Sequence, residues 1–411
     1  MQDSDNMRIT FVLNVLERIG GVRVVLEYAN YLQKMHHDVS VVYPAVFIPL
    51  RARSSVIDHT WAAGDSLVHT LWNRINKGRA QPFKTDISLI KIPFIHPRFA
   101  AQLERFIPDA DVIIATAWET AYTVNTFSKR TGEKFYLIQS YEIWDVWDNV
   151  ECWDEAGRIR KGDNTRALAM ADVIPAQKGL KRAKDLVDSS FKLPLRKITI
   201  AGWLKRLIEE KFGERVEGVI PNGVNLNIFF KERDRPEEPE PVNILMPFRP
   251  ALLKGFKDGL EAFELIKARH PDAHFALFGP PIKKELQNLP EWVEFHNIKS
   301  DAQLRALYND THIFILPSWI EGFPLPPMEA MACGCALVTT DAGGLLDYLE
   351  DGKTALVVPI RDPAALARSV CKLIEDAHER RRIAENGYRL IRQFTWERAA
   401  KELEALLQTA E

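Results

Sequence analysis

The chain is predicted to be α/β, with two Rossmann-like, doubly wound parallel sheets facing each other across a cleft. Three observations lead there. Apolar strand-like runs alternate with amphipathic helical runs; the alternation stops at a charged, proline-rich stretch near mid-chain and then restarts; and glycines or single charges recur just after the strand-like runs. Before the break the strands are RITFVLNV (8–15), DVSVVYP (38–44), DVIIAT (111–116) and KFYLIQS (134–140), with Gly20 and Gly21 turning into a helix over 22–34. After it come VNILMPF (242–248), HFALFG (274–279), VEFHN (293–297), HIFILP (312–317), CALVTT (335–340) and TALVVP (354–359), with a helix over 260–269. The break itself, KERDRPEEPEP, reads as a linker. The domains that follow are 1–230, the linker 231–241, 242–390, and an amphipathic C-terminal helix over 391–411 able to pack back on the first half.

With 411 residues the chain can build two or three separate cores. A net charge of −2 gives no sign of nucleic-acid binding. No apolar run approaches the about 18 residues that span a bilayer. The start, MQDSDNMRITFVLNV, is too polar and too soon strand-like for a signal peptide, so a cytoplasmic location is expected. Cys152, Cys333, Cys335 and Cys371 are scattered except for the CGC pair, whose one-residue gap suits neither a redox pair nor a zinc knuckle. Small buried thiols are expected. Asp109 and Asp111, spaced like a metal-binding acid pair, follow Pro108 and precede a strand, where turn residues belong. No metal or other cofactor is expected.

The stretch EGFPLPPMEAMACG (321–334) carries the clearest chemistry. Eight residues of continuous helix would put Glu321 and Glu329 on one face, but Pro324, Pro326 and Pro327 forbid it. Glu321 is therefore placed in a loop, and Glu329 in the first turn of a helix that Pro327 starts and Gly334 stops. Backbone N–H groups around Gly322 and Phe323, at the positive end of that helix, suit a phosphate, while carboxylates suit hydroxyls. A ligand with both phosphate and sugar is expected. Ligands of open parallel sheets bind beyond the carboxyl ends of the strands. Gly20 and Gly21, Arg249 and Lys254, Gly279, Glu321, and the pair Gly343 and Gly344 all stand at such ends.

Taken together, IGGV (19–22), VIPNGVNLNIF (219–229), FRPALLKGF (248–256), PSWIEGFPLPPMEAMACG (317–334) and TDAGGLLDYL (340–349) resemble the retaining glycosyltransferases of family four, which have the GT-B fold. The resemblance covers the second half and the edges of the first; residues 45–110 and 141–175 match no motif. It implies a second half that binds a nucleoside diphosphate sugar and a first half that binds the acceptor. It further implies that Glu329 holds the ribose and that Glu321 lies near the transferred sugar. Gly322, Phe323, Pro324 and Leu325 would form the donor loop, with Gly279 also in the donor site. Arg249 and Lys254 match the cations that bind the diphosphate, and Gly20 with Gly21 matches the loop that closes on it. Breaking an anomeric bond leaves negative charge on the departing diphosphate, so fixed cations there favour the transition state.

Where many members of that family carry a histidine facing the donor sugar, this chain has Gln139 or Ser140; Gln139, and Asn222 of the PNG turn, are candidate contacts to sugar or acceptor. Asp347 and Asn225 stand where glutamate and aspartate are commoner in the family. The segment SYEIWDVWDNVECWDEAG (140–157) joins aromatic faces to acids and suits stacking on acceptor sugars or, equally, an aromatic-anchored loop. The first half is the more basic, through RARS, NRINKGR and QKGLKRAKD, which suits either a solvated face or peripheral contact with the inner face of an anionic membrane. The expected function is transfer of a hexose-type sugar to a glycan or lipid-linked acceptor, without metal, in cell-surface polysaccharide or glycoconjugate synthesis. The rivals are a nucleotide-sugar epimerase, a phosphorylase, and a catalytically silent subunit that binds the nucleotide sugar.

Overall fold

The computed structural model describes residues 6–17, 19–46, 50, 87–143, 146, 171–232 and 241–409. Most of the proline-rich stretch at 231–241, the RARS and NRINKGR cations, most of the aromatic run 140–157 and Cys152 lie outside the described residues.

The first sheet has seven strands: β1 (Arg8–Val12), β2 (Asp38–Pro44), β3 (Ser88–Ile92), β4 (Val112–Ala115), β5 (Glu133–Ile138), β6 (Arg196–Thr199) and β7 (Val216–Val219), in the order β3-β2-β1-β4-β5-β6-β7. The second has six: β8 (Asn243–Pro247), β9 (His274–Phe278), β10 (Val293–His296), β11 (Ile313–Leu316), β12 (Ala336–Thr340) and β13 (Leu356–Val358), in the order β10-β9-β8-β11-β12-β13. Every ladder is parallel. Strand order reverses beside β1 in one sheet and beside β8 in the other, so each sheet has its switch point where β1 meets β4 and β8 meets β11.

The central strands are apolar along their whole length because both faces are covered. VIIA of β4 and IFIL of β11 are buried at every position. In β11 the pleat divides the work: Phe314 and Leu316 join the core shared with the first half, while Ile313 and Ile315 pack with Phe263, Ile266 and Val370 on the outer face. Cys333, Cys335 and Cys371 are buried.

Three strands were not read from the sequence: β3, β6 and β7. SLIKI, RKIT and VEGV are short and interrupted by polar residues, and β3 and β7 are the edge strands of the sheet, where one side needs no apolar cover. The C-terminal segment also differs from a single helix over 391–411. One helix, Ala377–Ile391, ends there; a new one, Trp396–Gln408, starts at Thr395, whose hydroxyl accepts the Arg398 N–H at 3.2 Å. Among the described residues no helix is long and apolar enough to cross a membrane.

The last helix packs on the first half. Trp396 meets Tyr28 edge to face at 5.4 Å, both rings buried, and the Val224 N–H bonds to the Phe394 carbonyl at 2.9 Å. A β-carbon on Gly223 would come within 2.2 Å of the Trp396 nitrogen, so the PNG turn needs glycine to let the chain pass. Trp396→Ala is expected to destabilise the protein by about 3–5 kcal/mol, the scale of emptying a buried tryptophan site. Urea unfolding of the two proteins checks it, and a loss below about 1 kcal/mol would mean that this helix is not held by the contact.

Candidate functional site

A cavity of about 460 Å³ opens between the carboxyl ends of the two sheets. From the first half it is lined by the residues after β1 (Asn14), β4 (Thr116, Ala117), β5 (Gln139, Ser140, Glu142) and β6 (Ile200), and by Asn222 after β7. From the second it is lined by Arg249 after β8 and by the loop after β11 from Pro317 to Pro326. Arg249, Lys254, Glu321, Gly322, Phe323, Pro324 and Leu325 thus meet Gly20, Gly21, Gln139 and Asn222 around one space. Gly279 and Glu329 are not on its wall. Gly279 instead lies where a β-carbon would come within 2.9 Å of the Phe248 carbonyl.

Two helix starts point at the cavity. The helix Gly20–Lys34 begins after Ile19 and the helix Leu325–Ala332 after Pro324, and neither of these two residues has a side chain that caps the first N–H groups. The second begins two residues earlier than Pro327, with both prolines inside its first turn, where no intrahelical N–H is lost. It ends as expected at Gly334, whose φ of +83° is left-handed. Uncapped N–H groups, helix dipoles, Arg249 and Lys254 together make an anion site.

Lys254 Nζ pairs with Glu321 Oε1 at 2.9 Å, and the Ser318 hydroxyl donates to the same oxygen at 2.7 Å. The loop that holds Glu321 is fixed by backbone contacts that only glycine permits. A β-carbon on Gly322 would lie 2.2 Å from the Gln139 carbonyl, and one on Gly344 would lie 1.7 Å from the Gly322 carbonyl. The Gly344 N–H also bonds to the Glu321 carbonyl at 3.1 Å. The pair Gly343 and Gly344 is therefore a support of the loop and not part of the wall. Across the halves, Asn222 Nδ2 donates to the Phe323 carbonyl at 2.8 Å, Trp203 Nε1 to the Gly322 carbonyl at 3.3 Å, and the Gly202 N–H to Asp347 at 2.7 Å. Phe323 itself packs against Tyr348 and Phe394.

Glu329 sits off the cavity wall, 5% exposed. Arg23 of the first half reaches its Oε1 at 3.0 Å, and the Tyr308 hydroxyl donates to Oε2 at 3.2 Å. Burial raises the Glu329 carboxyl and Arg23 opposes the rise. Asp109 and Asp111 stand at the amino end of β4, away from the cavity, and pair with Arg130 and Arg8 respectively. Lys184 of the QKGLKRAKD run is buried against Asp188 at 2.6 Å, so it adds no surface charge.

Glu142 was not singled out from the sequence, although it opens the acid-rich aromatic run. It lies on the cavity wall, and its Oε2 accepts the Trp118 N–H at 2.9 Å at the start of the helix Trp118–Thr126. Glu119 on that helix receives Asn14 Nδ2 at 3.4 Å. Burial, and then the like charge of Glu119, push the Glu142 carboxyl up to about 8.

The comparisons with known proteins agree with this geometry. Residues 228–390 match the family model "Glycosyl transferases group 1". D-inositol 3-phosphate glycosyltransferase of Salinispora tropica is 36% identical over 111 residues, 27% of this chain and 23% of that protein. Its namesake from Corynebacterium jeikeium is 29% identical over 213 residues, 46% of this chain and 51% of that protein. The chain thus spans about half or less of the length of these curated relatives. Among solved structures, Anabaena HepE in complex with UDP-glucose superposes with a TM-score of 0.65 at 16% identity, over 98% of this chain and 100% of that one.

One measurable consequence concerns Glu142. In the fold its carboxyl stays protonated up to about 8, while in the unfolded chain it ionises near its ordinary 4.5. Unfolding between those values releases a proton, so this group lowers stability progressively as pH rises through that window and no further above it. Among the described residues, Tyr136 on β5 and Glu119 are titrating groups that interact with it. Glu142→Gln, which keeps an oxygen for the Trp118 N–H and cannot ionise, is expected to gain stability relative to wild type between about pH 5 and about pH 8. Urea unfolding at both pH values checks this, and a difference that does not change with pH contradicts it.

With two parallel sheets closing on one cleft and a matching second half, the chain has the GT-B fold and carries a glycosyl transferases group 1 domain at residues 228–390.

Proposed function

We propose that the protein is a retaining glycosyltransferase that moves a hexose-type sugar from a nucleoside diphosphate sugar to a glycan or lipid-linked acceptor, without a metal. The observation that carries the reading is the meeting of Arg249, Lys254 and two uncapped helix starts around one cavity. That set suits a diphosphate, and stabilises it more as it departs with growing negative charge than when it is bound in the sugar ester. Further support comes from HepE, which is described in complex with UDP-glucose, and from the relatives named as glycosyltransferases.

In this reading Arg249 contacts the diphosphate as a planar fork and Lys254 as a point charge. Glu321 holds Lys254 until the diphosphate takes it and faces the transferred sugar, and it is not assigned the role of nucleophile. Gly20 and Gly21 bring backbone N–H groups to the diphosphate from the other half, and Glu329 holds the ribose once Arg23 shares it. Closure of the cleft excludes water and aligns the acceptor held by the first half. The expected setting is the cytoplasm, at the inner face of the membrane when the acceptor is lipid-linked, in synthesis of surface polysaccharide or glycoconjugate.

Lys254→Ala is expected to lower turnover by about 10²-fold or more, the scale for losing one charge-stabilising donor, while a chelator leaves wild-type turnover intact. Unchanged turnover in the variant would remove Lys254 from the site, and strict dependence on manganese or magnesium would contradict the metal-free route.

Calorimetric titration with UDP, GDP, ADP, dTDP and CDP should find one preferred nucleotide, with Glu329→Ala weakening it by about tenfold or more. Binding without turnover on any acceptor would favour the silent subunit instead.

A further inference from the structure

The helix Gly20–Lys34 meets the second half in two ways. Its residues Gly20, Gly21, Val22 and Val24 line the cavity. Arg23, between the last two, reaches across to Glu329: its Nη1 lies 3.0 Å from Oε1, while the Tyr308 hydroxyl donates to Oε2 at 3.2 Å. The guanidinium is itself held in place. Its carbon lies 5.3 Å from the centre of the Phe229 ring, and its Nη2 lies 3.7 Å from Asp301.

Among the described residues, Arg23 and Glu27 on the helix Gly20–Lys34, and Asp301 and Tyr308 on the helix Asp301–Asp310, are charged or titrating groups that act on Glu329. Arg23 is the positive group among them, and it comes from the first half. Burial raises the Glu329 carboxyl, Arg23 draws it back down, and Asp301 adds to the rise. Without Arg23 this carboxyl would stay buried beside like charge, which favours its neutral form.

The charge decides what Glu329 can hold. An ionised carboxylate offers about four lone-pair positions and no donor. Arg23 and Tyr308 approach different oxygens, so each oxygen keeps room for one more hydrogen bond. Two adjacent ribose hydroxyls fit that remaining capacity. A protonated carboxyl gives part of it up to its own O–H.

We propose that Arg23 is a positioning residue of the donor site, contributed by the first half, which holds Glu329 as a fixed carboxylate for the ribose. This rests on the reading of Glu329 as the ribose contact.

The test is calorimetry on the whole chain at about 0.15 M salt, using whichever of UDP, GDP, ADP and CDP binds best, from about pH 6.5 to about pH 8.5. Affinities are read as ratios to wild type, so the nucleotide's own titration cancels. Arg23→Gln keeps an N–H for Glu329 and loses the charge. It should weaken the nucleotide by about tenfold or more at the lower pH, and progressively less as pH rises and Glu329 ionises unaided. With Glu329→Gln already in place, Arg23→Gln should cost less than about threefold, because the carboxylate it serves is gone. Glu329→Gln against wild type leaves Arg23 intact and decides the matter even when Arg23→Gln does not fold: its loss of affinity should be constant over the range, since the carboxylate is ionised throughout. No loss in Arg23→Gln, a loss that does not shrink as pH rises, an equal loss with and without Glu329, or a Glu329→Gln loss that grows with pH overturns the proposal. Glu329→Gln binding as tightly as wild type strikes the ribose reading itself, and the proposal with it.

Discussion

The Gln139 carbonyl passes so close to Gly322 that a β-carbon there would come within 2.2 Å of it. This approach joins the end of β5 in one sheet to the loop after β11 in the other, and the cleft is shaped around it. Gly344 presses on Gly322 from behind, Trp203 and Asn222 of the first half bond to the loop's carbonyls, and Phe323 anchors the loop against Tyr348 and Phe394. Held on several sides, the loop presents Glu321 and the start of the helix Leu325–Ala332 at fixed positions. Such preorganisation is what lets charged groups act without reorganising during reaction. The same contacts make the two sheets share one apolar core.

Both walls of the cleft bring N–H donors to it: one carries Arg249, Lys254 and the start of the helix Leu325–Ala332, and the other carries the start of the helix Gly20–Lys34 with Glu142 and neutral amides. Arg23 adds a link between them. By pairing with Glu329 across the halves it keeps a buried carboxylate compensated, which otherwise would be costly.

Much of this was legible in the sequence because it depends on local patterns. Apolar runs marked the central strands, the prolines separated Glu321 from Glu329, and Gly334 marked the helix end. The strand-end rule gathered Arg249, Lys254, Glu321 and the Gly20–Gly21 pair onto one edge before any contact was known. What escaped depends on long-range packing. β3, β6 and β7 are short, with polar interruptions. Gly343 and Gly344 looked like ligand contacts, yet serve the loop, since sequence does not tell a backbone that approaches a ligand from one that approaches another backbone. The Arg23–Glu329 pair joins residues about 300 positions apart, beyond the reach of any spacing argument. Glu142 had a signal, its place in an acid-rich aromatic run just after β5, but nothing local separated it from its acidic neighbours.

The most direct test of the central claim is a crystal structure of the protein grown with the nucleoside diphosphate it prefers. The account requires the diphosphate to lie between Arg249 and Lys254, at the helix starts of Gly20 and Leu325, with Lys254 turned from Glu321 toward phosphate oxygen and the ribose on Glu329. An ordered nucleotide elsewhere, or one in the cleft that leaves the Lys254–Glu321 pair and the Arg23–Glu329 pair both untouched, would contradict it.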